Sequence, residues 1–346
     1  MQPSKPFQPF RSTFLWRGIL LFLWTLPLIA LSAEALARSP LRAGLPTPSI
    51  GADSFILDAK LYALESLIRR DGRVDCLFVG SSVTNSDIDP AVVEKNYREQ
   101  TGETIHCYNI GIPVMTLDNT VAFTNALIKR FHPKVVFFTV LPRDISPFQF
   151  NADFIENSAW VQHNTGGPSL TGWLVNNSYA YRYNLSWRTL LLPENRIKIK
   201  TETESLTPQG FQPAQGVHPP DPNNPFSTAQ ELQSIWDDPA HMASITSALA
   251  LQTQGTQLVL IEGPLNRSAD VIGASQSAWD AYESAYLPPL AQMLTAGNIP
   301  FWRTDEISKH IPFPHWYDWR HLNAEGAQTF SEWLGAQLVQ NNWLFK

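Results

Sequence analysis

Charge is scarce in this chain of 346 residues, where Asp, Glu, Lys and Arg make up 16% against a usual share of about 25%. With 44% hydrophobic residues, that shortage excludes a disordered polyelectrolyte. Basic residues are the scarcer sign, 25 against 31 acidic, and they are unevenly placed. Lys5, Arg11, Arg17, Arg38 and Arg42 against Glu34 make the first 46 residues +4, which leaves −10 on the rest of a chain whose net charge is −6. So acidic a body lacks the basic stripe that neutralises phosphates, and nucleic acid is excluded as a partner. Cysteine is nearly absent. Cys76 and Cys107 alone cannot build a disulfide framework; a single bridge between them is one reading, but since each falls in an apolar run, plain buried thiols are the expectation. No internal repeat is present, and no cofactor is expected.

One long hydrophobic run exists. Phe14 to Leu31 is apolar except for Arg17 and Thr25, is preceded by Lys5 and Arg11, and is followed by Ala35-Leu36-Ala37. Its core from Gly18 is short for a span of about 20 residues, and the Ala-x-Ala ending resembles a signal-peptidase site. Extended through Ala37, with Trp16 and Trp24 for the interface, it reaches spanning length as an uncleaved anchor, which is the favoured reading. The basic flank then keeps the N-terminus inside and places an extracytoplasmic body beyond the membrane, secreted if the segment is cleaved. Residues 1–48 are thus flank, anchor or signal, and linker. The body covers 49–346.

In the body, Leu57, Leu61, Leu64, Leu67 and Ile68 predict a helix over 53–70. Strand-like apolar runs then alternate with helical segments. The strands are expected at 74–79, 104–110, 134–141, 257–262 and 299–303, each apolar on both faces and so suited to burial between helices. Asp89-Pro90 signals a helix start, Asp118 is expected to cap a helix to about Arg130, and later helices read at 228–254, 275–296 and 323–341. Five strands alternating with helices predict a parallel, doubly wound α/β sheet, with reactive groups on loops after the strands' carboxyl ends. From Pro142 to Ser227 the rhythm breaks. This stretch reads as a structureless insertion on the ligand rim, a lid or substrate platform, with a decorative or partner-facing insertion as the alternative.

Three loops carry chemistry. After the first strand comes Gly80-Ser81-Ser82, where a hydroxyl held at the sheet edge beside backbone N–H groups meets the needs of a nucleophile. The second strand ends Asn109-Ile110-Gly111. Before the last helix comes His315-Trp316-Tyr317-Asp318-Trp319-Arg320-His321, in which Asp318 can hold one ring nitrogen of His321 and leave the other for a nucleophile. His315, Asp318 and His321 also admit a weaker reading as metal ligands.

Gly-x-Ser, Asn-x-Gly and Asp-x-x-His in this order resemble the blocks of the SGNH/GDSL hydrolase superfamily over about residues 74–341. The resemblance implies a flavodoxin-like three-layer α/β/α fold with Ser82 as nucleophile, His321 as general base and Asp318 orienting it. It also implies that the backbone N–H groups of Ser82 and Gly111 form part of an oxyanion hole. The block after the third strand usually supplies an Asn; here it reads Leu141-Pro142-Arg143-Asp144, with Arg143 as the substitute. The anchored layout is similar to SGNH-like proteins that move acyl groups on envelope polymers. That similarity implies an acyl ester or glycan substrate, and admits a membrane acyltransferase as partner. Asn109, Arg143, Trp316 and Trp319 are the candidate substrate contacts, with Trp302 and Tyr317 as further aromatic walls. A non-catalytic glycan-binding or scaffold module is the alternative.

Overall fold

The computed structural model describes residues 12–39, 47–52, 54–145, 153–218, 228–268 and 276–341. Helix α1 (Ser12–Arg38) is the apolar N-terminal segment, and its side chains from Ile19 to Leu31 are exposed. Helix α2 (Phe55–Asp71) follows. Ser54 caps it by accepting from the Leu57 N–H, and Gly72 ends it in the left-handed region at φ 80°.

Five parallel strands form the sheet: β1 (Cys76–Val79), β2 (Cys107–Asn109), β3 (Val135–Val140), β4 (Gln257–Glu262) and β5 (Phe301–Trp302). Their spatial order is β2-β1-β3-β4-β5. This is the flavodoxin-like doubly wound order, in which the chain reverses direction between β1 and β3 and leaves a crevice at their carboxyl ends. The strands are a residue or more shorter than the apolar runs that announce them, except β4, which matches its run. Alternate residues feed two cores. Leu77, Val79, Val136, Phe138 and Leu260 face α2, α5 (Leu117–Phe131) and the helical stretch 276–296. Cys76, Phe78, Val135, Phe137 and Ile261 face α4 (Pro90–Thr101) and the C-terminal helix Ala324–Asn341. Between β1 and α4 lies α3 (Ser82–Asp87). Asp89 caps α4 with Pro90 at its first position, whereas α5 starts after Thr116, and Asp118 is an exposed residue of its first turn rather than its cap.

The stretch after β3 corrects the expectation of a structureless run. It contains α6 (Pro142–Ile145), α7 (Asp153–Glu156), α8 (Ala159–Thr165), α9 (Leu170–Asn177), α10 (Tyr179–Leu190) and α11 (Pro193–Thr203). Ser residues at 158 and 169 cap α8 and α9, and Trp160 is fully buried against Phe123. A buried ion pair, Arg182 Nη1 to Glu65 Oε2 at 2.7 Å, fastens α10 to α2. Of the proline-rich part, 208–218 are extended and turned; 219–227 lie outside the described residues.

A second correction concerns the cysteines. Cys76 and Cys107 are register partners on neighbouring parallel strands, their Cα atoms are 4.6 Å apart, and the structure joins them in a disulfide. That separation lies within the bridging range of roughly 4.4–6.8 Å; the pairing depends on register, which apolarity alone does not set. Denatured, unreduced protein should therefore take up no iodoacetamide, and reduced protein two equivalents. Replacing both cysteines by Ser should cost about 2–4 kcal/mol of unfolding free energy.

Beneath the end of β2, Lys60 of α2 is fully buried, and its Nζ donates to Gly111 O at 2.6 Å and to Asn109 Oδ1 at 3.4 Å. Burial drives its pKa well below the usual 10.5. Between that lowered value and 10.5 the unfolded chain binds a proton that the folded chain does not, so this group makes stability rise with pH. A Lys60→Met variant should gain melting temperature over wild type at pH 7, with the gain shrinking towards pH 10; an equal gain at both would refute neutral burial.

Candidate active site

The site is built where β1 ends. Gly80 stands at φ 151°, and a Cβ there would lie 2.2 Å from Thr84 Oγ1 and 2.9 Å from Thr139 O, so only glycine lets the chain turn this tightly beneath α3. Ser81 is buried as the N-cap, and Ser82, half-buried, is the first residue of α3. In that position the Ser82 N–H has no acceptor within its own helix.

The partner loop comes from the other end of the chain. Ser82 Oγ lies 2.8 Å from His321 Nε2, and His321 Nδ1 lies 2.8 Å from Asp318 Oδ2. Asp318 Oδ1 accepts the backbone N–H groups of Arg320 and His321, both at 2.8 Å. Burial raises the Asp318 pKa, but the hydrogen bond and charge of His321 with these two N–H donors outweigh it and hold the carboxyl below the usual range. The loop is closed by Tyr317 N–H donating to His321 O at 2.8 Å. In this arrangement an imidazole can take a proton from the hydroxyl while a carboxylate fixes its tautomer.

Asp87, at the end of α3, joins the two halves. Its Oδ1 accepts from Ser86 Oγ at 2.6 Å and from the Leu322 N–H at 3.0 Å, and burial raises its pKa well above 3.8. After β3, Asp144 turns inward and accepts the Leu141 N–H at 2.9 Å. Burial raises its pKa too, against hydrogen bonding from Ser81 and the fields of Arg320 and His321. Arg143 is exposed. The Arg320 guanidinium lies 4.8 Å from the centre of the Trp319 ring; burial first, then the charge of Arg143, lowers its pKa. The block after β3 thus carries Arg143 where an Asn was expected.

Several expected contacts prove to be structural. Asn109 is fully buried: its Nδ2 donates to Thr84 O and Ile88 O, at 2.5 and 2.7 Å. Its Oδ1 accepts the Gly111 N–H at 2.9 Å. That N–H is committed inside the fold, and the want of a side chain at Gly111 serves packing, since a Cβ would lie 2.6 Å from Asn85 N. The Asn109 side chain and the Gly111 N–H are thus both engaged with other parts of the fold. Trp316 is core, its Nε1 donating to Ile311 O at 3.2 Å. Trp319 and Trp302 are buried as well, Trp302 against Phe137 and Trp333. In a loop, neither helical nor strand period says which ring turns inward.

The aromatic that borders the site is Tyr317, 6.4 Å from the His321 ring. Its other neighbour, His218 at 4.6 Å, comes from the proline-rich segment. That segment runs along the rim: Gln212 N–H donates to Asn85 O at 3.1 Å and His218 N–H to Tyr317 O at 2.5 Å. Among the described residues, no three His, Cys, Asp or Glu side chains are grouped as metal ligands, and His315 is not brought to the Asp318–His321 pair as the metal reading requires. Sequence reasoning missed Asp87, Lys60, Asp144 and His218. Lys60 alone had a legible signal, as it falls on the same helical stripe as Leu57, Leu61 and Leu64.

No family model and no curated protein matches the chain. Among solved structures it is similar to a gut microbial diltiazem-metabolizing enzyme, at 12% identity and a TM-score of 0.36 over 77% of this chain and 47% of the other, so that it spans about half of that enzyme's length. It is also similar to a carbohydrate acetylesterase family member from Sinorhizobium meliloti, at 13% identity and a TM-score of 0.34 over 78% of this chain and 99% of the other.

Proposed function

We propose that the protein is an exported, membrane-tethered serine esterase or O-acyltransferase of the SGNH type, acting on acyl esters of an envelope polysaccharide. The observation that carries the reading is the unbroken relay from Ser82 Oγ through His321 to Asp318, with both links at 2.8 Å. Ser82 attacks the ester carbonyl while His321 Nε2 takes its proton; His321 then protonates the departing alkoxide, and Asp318 stabilises the imidazolium. The Ser82 N–H at the start of α3 meets the developing oxyanion, and the guanidinium of Arg143 takes the place of a carboxamide donor. Water or a sugar hydroxyl then accepts the acyl group.

Retention of α1 as an anchor is supported at its C-terminal end. Glu34 Oε1 accepts the Tyr179 N–H at 3.0 Å and Glu34 Oε2 the Ala180 N–H at 3.0 Å, and Ala37 is buried against Tyr179 and Tyr183. Cleavage after Ala37 would strip the cap from α10 and remove a core residue.

The second reading, a non-catalytic glycan-binding or scaffold module of an acylation complex, is favoured by one feature. The chain has Arg143 and Asp144, and no Asn, after β3. The two readings part on substitution. Ser82→Ala should abolish fluorophosphonate labelling and lower p-nitrophenyl acetate turnover by at least ~10³-fold, and Asp318→Asn should cost about 10³–10⁴-fold. Arg143→Ala should lower kcat by about 10²-fold, and Ser81→Ala should leave labelling intact. Labelling that survives Ser82→Ala refutes the nucleophile, and unaltered biological function in that variant establishes the scaffold. Intact mass of membrane-extracted protein should include residues 1–37.

A further inference from the structure

Far from Ser82, a cavity of about 360 Å³ opens where the apolar helix meets the body, and Arg38, Arg69 and Arg130 line it together with Glu65, Asn176 and Tyr179. Its charges do not balance. Glu65 is taken by the buried Arg182 at 2.7 Å and by the Tyr179 hydroxyl at 2.8 Å. Arg38 is paired with Glu34 at 2.6 Å, and its Nη2 donates to Asn177 O at 2.7 Å. Arg69 donates to the Tyr179 hydroxyl and to Ser66 Oγ, both uncharged partners. Arg130 is exposed at the end of α5. Among the described residues, neither Arg69 nor Arg130 has a carboxylate partner. Two uncompensated guanidinia therefore share one concave site, on a body that is otherwise strongly acidic. Like charges crowded in this way favour an anion between them, and planar guanidinium groups suit a phosphate.

The position of the cavity says where that anion comes from. The apolar span Ile19–Arg38 has 20 residues, about 30 Å of helix, which is the thickness of a bilayer's hydrocarbon core. Its C-terminal end, where Arg38 sits, then falls at the level of lipid headgroups. The helices that supply the cavity's other wall carry outward apolar side chains: Leu170 and Trp173 on α9 are 75% and 54% exposed, and Trp187 on α10 is 50% exposed. Tryptophan at such a place is the usual residue of the membrane interface. We propose that this cavity binds the phosphate headgroup of an anionic phospholipid, holding the body against the membrane surface beside its own anchor.

The test uses the full-length protein in nonionic detergent micelles, titrated with dioleoylphosphatidylglycerol, with dioleoylphosphatidylcholine and with inorganic phosphate. Bound lipid is read by native mass spectrometry and stability by the melting temperature. Phosphatidylglycerol should be retained at one per chain and raise the melting temperature, whereas phosphatidylcholine should do neither. Arg130→Gln should weaken retention about fivefold, following the ~1 kcal/mol that one basic residue contributes at a charged lipid surface, and Arg69→Gln with Arg130→Gln more than tenfold. Arg130→Lys should keep most of it. Ester turnover in Arg130→Gln should equal wild type, because Arg130 lies outside the Ser82 site. Equal retention of the two lipids, or full retention by Arg130→Gln, overturns the proposal. Stabilisation by inorganic phosphate equal to that by phosphatidylglycerol overturns the lipid assignment as well. Should the double variant fail to fold, the comparison of Arg130→Gln with Arg130→Lys decides by itself.

Discussion

A buried carboxyl group holds the candidate site together. Asp87 closes α3 and reaches the backbone of Leu322, 235 residues along the chain, while its Ser86 hydrogen bond keeps it oriented. His321 precedes Leu322, so the position of the imidazole over Ser82 follows from that contact and from the Asp318 turn. Both ends must be rigid for the 2.8 Å link between Ser82 and His321 to persist. The tight turn at Gly80 fixes the start of α3 and Asp87 fixes its end. The C-terminal helix, packed on α4 through Phe330 and Leu334, carries the second half.

Three carboxyl groups lie around this junction, and their surroundings divide them. Asp318 gathers two backbone donors and the imidazole and stays ionised. Asp87 is buried and Asp144 half-buried, each with fewer donors, and desolvation raises the pKa of both. Asp87 and Asp144 instead brace backbone, accepting the N–H groups of Leu322 and Leu141. Arg143 and Arg320 stand on the opposite side of this balance. After burial, the charge of Arg143 is what lowers the Arg320 pKa, while Asp318, Asp144 and Asp87 raise it.

The sheet was legible because strands buried on both faces must be apolar throughout, and five such runs stand out in the sequence. The spacing Asp318-x-x-His321 was legible because a tight loop leaves few conformations for a carboxyl and an imidazole three residues apart. Other features were not. Trp316 and Trp319 flank Asp318 and look like a substrate wall, yet in an irregular loop no period says which ring is core. Gly111 looks like a place for a substrate to approach, whereas the element that approaches it is α3. The helices after β3 are short, start at isolated Ser caps and bury rings such as Trp160, so no long amphipathic stripe announces them. Asp87 carries no sequence signal, since its partner is a backbone N–H supplied by tertiary structure alone.

Those same short helices explain why the domain is long. Their first contact is with the N-terminal helix and α2: Glu34 of α1 caps α10, and Arg182 of α10 pairs with Glu65 of α2. Their last is with the site, since the chain leaving α11 turns through Thr207 and Phe211 and sets Gln212 on Asn85 and His218 on Tyr317. The described residues 153–218 therefore touch both α1 and the Ser82 site. The Arg182–Glu65 ion pair and the Glu34 cap hold α10 rigidly against α2 and α1.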